Sequence, residues 1–596
     1  MPEYKAPLRD IQFAIQEVLN YEQHYQNLPG AEEASPDMVA AILEEAAKFC
    51  EQVISPLNPV GDREGCQWQA GVVTTPPGFK ESYAQFIEGG WPGLSQPVDL
   101  GGQGLPSSLS AVVYEMIASA SHAWSMYPSL TWGAIKTIAA HAAPEVKARY
   151  LSKLVEGSWS GTMCLTEAHC GSDLGLLRTK ATPNDDGTYS ISGGKIFISA
   201  GEHDLTENIV HIVLARLPDA PEGVKGISLF VVPKLWVDEQ GVMGEPNGVS
   251  CGSIEHKMGI HGNATCVLNF DGARGYLISQ PHKGMSAMFT FINESRLGVA
   301  QQAQAHIEAS FQGALAYAKE RVQMRATPRV LPDKPADPII AHPDVRRMLL
   351  TQKALAEGTR LLNYYCAQLV DISHASNDAA ERARAENELA LLTPIAKGFI
   401  SEISMEATTY GIQVLGGHGY IAEWGMEQEY RDTRITSIYE GTNGIQGLDL
   451  LGRKILATGG KVAESFLTQV QTFCSSQHPA AVAPMIPALA DSIQLWLAVT
   501  EEVGVKAMAG DVNAVGAAAY DYLMLAGYCT VGYFLVRSAE AAANNSGSGD
   551  QDFYQAKINN ARFYIERLLP RTQLLTATIR SGSDNLMAMP EATFGL

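Results

Sequence analysis

The chain has 596 residues, of which 46% are hydrophobic and 18% are charged. This length predicts about four domain-sized units, and this composition excludes an intrinsically disordered chain. The formal net charge is −21, which argues against nucleic acid as a partner because phosphates would be repelled. We therefore expect any anionic ligand to be held by local arginines and backbone N–H groups.

The nine cysteines are scattered along the chain, and no C-x-x-C pair occurs. An odd number without paired spacing supports neither a disulfide framework nor a zinc site. His169 and Cys170 are adjacent, but no third ligand stands at a useful spacing, so we expect no metal site. Reduced thiols in a cytoplasmic protein are the simplest interpretation.

Helical periodicity dominates residues 1–160, which we predict to form an N-terminal α-helical domain. Ser35 followed by Pro36 is typical of a helix cap and a first-turn proline. Short β-rich segments separated by Gly, Asp and Asn then occupy residues 161–282. Within them, Asn184 to Gly187 predicts a hairpin turn. We interpret this region as a middle antiparallel β-domain.

Helical periodicity returns over residues 283–456, a predicted C-terminal helical bundle that is interrupted by a proline-rich loop at 326–343. Residues 461–596 predict an additional α-helical domain with a polar loop at 544–552. Its most apolar run, 522–536, is shorter than the roughly 20 residues of a membrane span. We therefore predict a buried helix there and no integral membrane segment. The predicted fold class is α+β.

The stretch Ile438-Tyr439-Glu440-Gly441-Thr442 contains a candidate general base. A carboxylate packed among apolar side chains has its charged form disfavoured, so its pKa rises toward a range useful for proton abstraction. Gly441 allows close approach of the backbone to a ligand, and Thr442 supplies a polar group. Taken alone, this stretch is more often a helix N-terminus that carries an ordinary glutamate.

Three further stretches suit a flat heterocycle with polar edges: 163–173, 194–201 and 413–420. In the second, Phe197 and Ser199 fall on one face of a strand, where a ring could stack on the aromatic and bond to the hydroxyl. Each stretch alone is more often a turn or part of a core. The chain has no G-x-G-x-x-G placed between a strand and a helix, so a Rossmann site is unsupported.

Taken in order, these stretches resemble the acyl-CoA dehydrogenase family over about residues 35–456. The matching motifs are T-E-x-x-x-G-S-D at 166–173, K-x-F-I-S at 195–199, Q-V-L-G-G-H-G-Y at 413–420 and I-Y-E-G-T at 438–442. The length and the additional helical domain are similar to the larger bacterial subgroup, which includes 3-methylmercaptopropionyl-CoA dehydrogenases and broad-range fatty acyl-CoA dehydrogenases.

The resemblance implies FAD held between the β-domain and the following helices, with trans-2-enoyl-CoA as product. It places the isoalloxazine against Met163, Leu165, Thr166, Phe197, Ser199, Thr442 and Gly444. It places the pyrophosphate and adenosine end against Arg321, Gln413, Gly416 and Gly417, across a subunit interface. It assigns the substrate to Ser172, Arg296 and Gly441.

The resemblance also implies that Glu440 removes the α-proton, while its backbone N–H stabilises charge on the thioester oxygen. Some family members place the base on another helix, immediately before the arginine that matches Arg296. Ser295 stands at that position here and cannot serve as the base. Glu294 is one residue further back, about 100° around a helix, so we expect it to point elsewhere.

Three functions remain distinguishable. The first is a fatty acyl-CoA dehydrogenase of β-oxidation, or one specialised for 3-methylthiopropionyl-CoA, with an electron-transferring flavoprotein as acceptor. The second is an acyl-CoA oxidase that uses oxygen. The third is a catalytically inactive CoA-binding or assembly protein built on the same fold. We favour the first, and we expect a homodimer because the additional helical domain can cover the surface through which compact family members form tetramers.

Overall fold

The computed structural model describes residues 3–547 and 549–595, and residues 3–158 are mainly helical, as their periodicity predicts. One helix starts at Pro36, and the Ser35 hydroxyl accepts a hydrogen bond from the Met38 N–H at 3.3 Å, which is the predicted cap. A two-stranded hairpin of β1 (Gln67–Gln69) and β2 (Val72–Thr74) interrupts the helices. The helices are α1 (Leu8–Gln12), α2 (Tyr21–Asn27), α3 (Pro36–Phe49), α4 (Asn58–Glu64), α5 (Phe79–Glu88), α6 (Ser107–Ala120), α7 (His122–His141) and α8 (Pro144–Glu156).

The next region is the predicted β-domain. Its strands are β3 (Trp159–Cys164), β4 (Lys180–Pro183), β5 (Tyr189–Ser199), β6 (Asn208–Arg216), β7 (Ile227–Pro233), β8 (Leu235–Val237), β9 (Met243–Pro246), β10 (Val249–Ile254) and β11 (Thr265–Ile278). The predicted turn joins β4 to β5, with the Gly187 N–H donating to the Asn184 carbonyl and Gly187 at a φ of 80°. The mainly antiparallel domain is thus confirmed, with two departures: β3 pairs parallel to β6, and β4 pairs parallel to β6 at Lys180 and Arg216.

The main sheet closes on itself, because β7 pairs with both β11 and β6. Strands β11, β5, β4, β6 and β7 therefore form a ring, to which β10 and β3 attach at either side. Along β6, Val210, Ile212 and Leu214 join the core beneath α7 and α8, while Val213 and Ala215 join a second core inside the sheet. A strand buried on both faces reads as a continuous apolar run, which is why β6 shows no alternation.

Five helices follow the sheet: α9 (Gly284–Glu320), α10 (Pro343–Ala375), α11 (Ala379–Leu415), α12 (Met426–Thr433) and α13 (Asn443–Leu448). The proline-rich loop lies between α9 and α10, as predicted, and contains a single short 3₁₀ turn at Ile339–Ala341. In the described part of residues 461–595 there are six more α-helices: α14 (Lys461–Ser475), α15 (Ile486–Met508), α16 (Ala514–Asn545), α17 (Gln551–Arg567), α18 (Arg571–Arg580) and α19 (Asp584–Met587). The predicted polar loop joins α16 to α17, and its Ser548 lies outside the described residues.

The chain forms two units. The helical unit comprises residues 3–45, 111–115 and 299–595, and the sheet-containing unit comprises residues 46–110 and 116–298. Within the helical unit, the apolar run 522–536 is buried along its whole length in α16, which confirms the predicted buried helix. Among the residues described, no helix combines the length and the hydropathy needed to cross a membrane.

Small residues let α16 lie close to the helices that precede it. A Cβ at Gly358 of α10 would come within 2.5 Å of Val531, and one at Gly527 would overlap the ring of Phe399 in α11. Arg571 of α18 adds a bidentate ion pair to Glu406 of α11, at 2.6 and 2.7 Å. The last helices therefore pack directly on the bundle of α10 and α11.

Gly527→Ala should lower the free energy of unfolding by about 1–3 kcal/mol, because the added methyl overlaps a fully packed ring. Gly516→Ala in the same helix is the matched control, since nothing lies within 4 Å of its Cβ position. That change should be neutral or stabilise by up to about 1 kcal/mol through helix propensity. Chemical denaturation of both variants tests the close packing of α16, and equal effects would contradict it.

Candidate active site

Glu440 lies in a short loop of the helical unit, between a 3₁₀ turn at Arg434–Ser437 and the start of α13. Its φ is 56° and that of Gly441 is 90°, so two consecutive residues are left-handed. Glycine adopts this conformation freely, whereas a residue with a Cβ meets a steric cost of about 1–2 kcal/mol. Glu440 is thus held in a strained backbone conformation of the kind that clusters at active sites.

Side chains of α13 hold this loop from one side. The Gln446 Nε2 donates to the carbonyl oxygens of Glu440 at 3.1 Å and Gly441 at 3.3 Å. The Thr442 hydroxyl accepts from the Ile445 N–H at 3.4 Å and caps the helix. The carbonyl groups of Glu440 and Gly441 therefore both accept from the buried Gln446 side chain, which fixes the orientation of the two peptides.

Tyr439 anchors the loop from the other side. Its hydroxyl donates to the Oε1 of Gln302 in α9, and the Gln302 Nε2 donates to the hydroxyl of Tyr114 at 2.7 Å. Burial raises the pKa of Tyr439 well above its usual value, so the phenol stays a neutral donor. The residue immediately before Glu440 is therefore fixed in position.

The rival carboxylate, Glu294, is engaged elsewhere. In the sheet-containing unit, its Oε2 lies 2.6 Å from the Nζ of Lys136 in α7. The same contact is a hydrogen bond from the Lys136 ammonium to the carboxylate. Glu294 therefore has a specific ion-pair partner, Lys136.

The segment that begins the T-E-x-x-x-G-S-D motif is attached to β5. The Ile196 N–H donates to the Thr166 carbonyl at 2.9 Å, and the Lys195 Nζ donates to the Leu165 carbonyl at 3.0 Å. Met163 is half-buried near the end of β3, two residues before Leu165. The structure therefore brings Met163, Leu165 and Thr166 to the end of β5 that carries Phe197 and Ser199.

A β-bulge presents Phe197. Ile196 and Phe197 together oppose Val267 of β11, and Phe197 has a left-handed φ of 58°. Bulges re-aim side chains near functional sites, and this aromatic ring is 58% exposed while Ile198 beside it is buried. Ser199 is half-buried. An exposed ring at a strained position, with a hydroxyl two residues away, forms a surface suited to stacking.

Glu167 is the electrostatic centre of this region. Burial would raise the pKa of Glu167, but Lys195 and hydrogen bonds from Thr179 and Arg178 outweigh burial and lower it to about 2. The Lys195 Nζ, itself buried, lies 2.9 Å from the Glu167 Oε1. The ion pair therefore ties the motif to β5 from inside the protein.

The expectation that no third ligand accompanies His169 and Cys170 is wrong. A pair of backbone hydrogen bonds between Glu167 and Cys170 folds the segment back, so the ligand atoms of all three residues lie within 4.8 Å of one another. Both Glu167 oxygens already accept hydrogen bonds: Oε1 accepts from Lys195 and the Thr179 hydroxyl, and Oε2 accepts from the Arg178 backbone N–H. A cation there would face an ammonium group, and the donor set does not suit a metal.

The residues expected at the adenosine end lie in the helical unit. Arg321 follows α9 and is exposed, and Gly416 and Gly417 follow α11 with open space where a Cβ would stand. The Tyr317 hydroxyl bonds to the His418 Nδ1 at 2.9 Å, and the His418 ring stacks on Trp424. These contacts bring the end of α9 to the turn that follows α11. Gln413, in the last turn of α11, is also exposed.

The other predicted site residues lie in three different parts of the structure. Thr442 and Gly444 are exposed beside Glu440, Ser172 is exposed in the turn after Glu167, and Arg296 is buried in α9.

Sequence reasoning missed Lys397, whose Nζ donates to the Gly441 carbonyl at 2.6 Å. Its signal was a lone lysine inside the apolar helical run L-L-T-P-I-A-K-G-F-I, where a buried charge needs a specific partner.

Comparison with protein families identifies the class. Four family models match in order: the N-terminal domain of acyl-CoA dehydrogenase over residues 37–158, its middle domain over 162–273, its C-terminal domain over 282–456, and an acetyl-CoA dehydrogenase C-terminal-like domain over 466–590. Together these models cover most of the chain. The protein belongs to the acyl-CoA dehydrogenase family.

Two curated relatives extend over nearly the whole chain. The 3-methylmercaptopropionyl-CoA dehydrogenase of Ruegeria pomeroyi is 42% identical over 98% of this chain and 99% of its own. The broad-specificity linear acyl-CoA dehydrogenase FadE5 of Mycobacterium tuberculosis is 35% identical, with both chains covered completely. The predicted resemblance to the larger bacterial subgroup is confirmed.

Two solved structures share the fold. Caenorhabditis elegans ACDH-11, crystallised in complex with C11-CoA, has a TM-score of 0.77 at 20% identity and covers 98% of this chain and 95% of its own. The Bacillus anthracis acyl-CoA dehydrogenase complexed with FAD has a TM-score of 0.73 at 20% identity, covering 96% and 92%. At these identities the likeness concerns the fold, and it confirms the predicted α+β architecture with an additional helical region.

Glu167→Gln should lower the free energy of unfolding by about 3–5 kcal/mol near neutral pH, because it leaves the buried Lys195 without its counter-charge. The Glu167 pKa is about 2 in the folded protein and 4.5 for the unfolded reference. The carboxylate therefore stabilises the fold above pH 4.5, and this contribution is lost as pH falls toward 2. Denaturation curves of wild type and variant between pH 7 and 3 should converge toward acid.

The matched control is Glu156→Gln, which removes the exposed ion-pair partner of Lys153. An exposed pair contributes at most about 1 kcal/mol, so this variant should stay close to wild type. A loss for Glu167→Gln that equals the control, or that stays constant down to pH 3, would contradict the assigned ion pair.

Proposed function

We propose that this protein is an FAD-dependent acyl-CoA dehydrogenase that converts acyl-CoA thioesters to trans-2-enoyl-CoA. The observation that carries the proposal is the position of Glu440 in this family member: its carboxylate sits on a strained loop whose backbone is fixed by Tyr439 before it and Gln446 after it. The alternative carboxylate, Glu294, is paired with Lys136. We therefore assign the general base to Glu440.

The residues present suit FAD. In the sheet-containing unit, the exposed ring of Phe197 offers a stacking surface, and Thr166 and Ser199 offer hydroxyls for the polar edge of a flat ring. We assign the isoalloxazine to this surface, together with Met163 and Leu165. Bound there, FAD would supply the acceptor for the hydride that leaves the β-carbon of the substrate.

The helical unit supplies the other proposed cofactor contacts. Thr442 and Gly444 are exposed next to the base, and a Cβ at Gly444 would meet nothing closer than 4.0 Å. Backbone can therefore approach a ligand closely there. For the pyrophosphate and adenosine end, a guanidinium suits a diphosphate because it donates a planar pair of hydrogen bonds. We assign that end to Arg321, Gln413, Gly416 and Gly417.

Glu440 supplies the proton chemistry. Its carboxylate takes the α-proton as the α-carbon–hydrogen bond breaks, and the electron pair forms the new double bond to the β-carbon as hydride departs. Negative charge develops on the thioester oxygen, and we assign its stabilisation to the Glu440 backbone N–H. A rigid loop matters here because general-base catalysis requires the carboxylate within hydrogen-bond reach of the proton.

The proposed substrate contacts are Gly441 beside the base, exposed Ser172, and Arg296 for the CoA portion. For the physiological setting we propose fatty acid β-oxidation, an electron-transferring flavoprotein as electron acceptor, and a homodimer. All nine cysteines are free thiols, which supports a reducing compartment and hence the cytoplasm. We also propose the four-domain division at 1–160, 161–282, 283–456 and 461–596, which the family-model ranges support.

A second substrate has its own support. The relative at 42% identity is a 3-methylmercaptopropionyl-CoA dehydrogenase, and it matches this chain over 98% of its length. The relative at 35% identity acts on linear acyl-CoA with broad specificity, according to its name. We propose linear acyl-CoA as the main substrate class and 3-methylthiopropionyl-CoA as the second candidate.

Glu440→Gln should reduce the rate of flavin bleaching by acyl-CoA at least about 100-fold, because a general base contributes about 10²–10⁴-fold. The variant should purify with its flavin, since the glutamine keeps the shape of the loop. Anaerobic absorbance at 450 nm measures both quantities. Glu294→Gln is the control and should bleach within a few-fold of wild type. A reversed outcome, with Glu294→Gln inactive and Glu440→Gln active, would refute the assignment.

A substrate panel separates the candidate functions. We expect anaerobic bleaching by one or more linear acyl-CoAs from C4 to C18, with 3-methylthiopropionyl-CoA included in the panel. In air, turnover should require an added electron acceptor and should not form stoichiometric peroxide. Stoichiometric peroxide without an acceptor would indicate an oxidase instead. No bleaching by any thioester, with CoA still bound, would indicate an inactive binding protein.

A further inference from the structure

Lys397 is a fully buried lysine whose side chain ends at the candidate catalytic loop. It lies in α11 with no exposed surface, between Ala396 and Gly398. Its Nζ donates to the Gly441 carbonyl at 2.6 Å and lies 3.4 Å from the Asn443 Oδ1. A buried amino group is costly to place unless it is hydrogen-bonded, so these acceptors define where the lysine belongs.

Asn443 extends this contact into a network on α11. Its Oδ1 also accepts from the Ser401 hydroxyl at 2.9 Å, and its Nδ2 donates to the Glu402 Oε2 at 2.8 Å. Glu402 in turn is hydrogen-bonded by Tyr520 of α16. The first residue of α13 is therefore held by α11, and through Glu402 it is connected to the additional helices.

Helix α16 also covers the lysine. A Cβ at Gly398, the residue after Lys397, would come within 2.5 Å of Leu523 and 3.1 Å of the Gln446 Cβ. A Cβ at Gly447 would come within 2.5 Å of the Ala519 carbonyl oxygen. The glycines let α16 lie against both α11 and α13, so the contact between Lys397 and Gly441 is shielded from water. A hydrogen bond in the protein interior is electrostatically stronger than one in water.

We propose that Lys397 is a positioning residue for proton abstraction, which sets the location of Glu440 through the carbonyl of Gly441. This inference rests on the proposed function. Two consecutive left-handed residues persist only where their surroundings hold them. Gln446 bonds to both carbonyls and Lys397 to that of Gly441, so loss of the lysine leaves the Gly441 carbonyl with the longer 3.3 Å bond from Gln446 and loosens the second peptide. A displacement of about 1 Å at a reacting group can cost roughly 100-fold in rate.

The test is Lys397→Met in the FAD-loaded protein, with anaerobic stopped-flow bleaching by the best acyl-CoA of the panel. We expect the limiting rate of flavin reduction to fall about 10- to 100-fold while half-saturation changes less than about threefold, because the lysine does not touch CoA. An α-deuterated substrate should show a larger isotope effect than in wild type. Hydrogen exchange of peptide 438–446 should become faster, a readout independent of activity.

Lys557→Met is the matched control. Lys557 is also a buried lysine of the helical unit, and it bonds to Asp10 and Glu357, not to residues of the 438–446 loop. This variant should lose thermal stability, yet keep the wild-type bleaching rate and the wild-type exchange of peptide 438–446. A bleaching rate for Lys397→Met equal to that of Lys557→Met would overturn the inference.

Tyr520→Phe supplies a milder variant in case Lys397→Met does not fold. Tyr520 is 41% exposed, so loss of its hydroxyl removes the bond to Glu402 without opening a cavity. We expect faster exchange of peptide 438–446 and a slower bleaching rate than in Tyr522→Phe, whose hydroxyl bonds to Thr500 at 2.7 Å and to Trp496, neither of which belongs to the 438–446 loop. If Lys397→Met does not fold, identical behaviour of the two tyrosine variants refutes the positioning role. Failure of the wild type to bleach refutes the proposed function itself.

Discussion

The hydrogen bond from the buried Lys397 amino group to the Gly441 carbonyl is the constraint on which the candidate site depends. It acts together with Gln446, which bonds to the carbonyls of both Glu440 and Gly441. These donors hold two successive left-handed residues, one of which carries a Cβ. These hydrogen bonds offset the strain at Glu440, and they would be lost if the loop relaxed to an unstrained conformation. The proposed base is therefore carried by a fixed backbone.

The additional helices contribute to this constraint by their small residues. Gly398 and Gly447 lie where α16 crosses α11 and α13, and larger side chains there would push α16 away. Close packing of α16 removes water from the lysine and the loop, which strengthens every hydrogen bond inside. The same helix was the most apolar run of the sequence, and its burial explains why that run is apolar without spanning a membrane.

Local chemistry made much of this structure predictable. The cap at Ser35, the hairpin turn at Asn184 to Gly187 and the buried helix at 522–536 each follow from neighbouring residues, and the structure contains all three. Motif order predicted the family. The bulge at Phe197 was not predictable, because it depends on the register of β5 against β11, about 70 residues away.

Contacts that join distant segments were equally invisible in the sequence. Lys397 reaches Gly441 across 44 residues, and Lys136 reaches Glu294 across 158. The pairing of Glu167 with His169 and Cys170 was misjudged because spacing along the chain ignored a backbone reversal. For Lys397, a charged group in an apolar run signalled that a partner existed, while only the fold identified that partner.

The most direct test is a crystal structure of the FAD-loaded protein with an unreactive acyl-CoA analogue bound. We expect a Glu440 carboxylate oxygen about 3–3.5 Å from the α-carbon, with the Gly441 carbonyl still bonded to Lys397. A structure in which Glu294 faces the α-carbon, or in which Glu440 points away from the acyl chain, would contradict it.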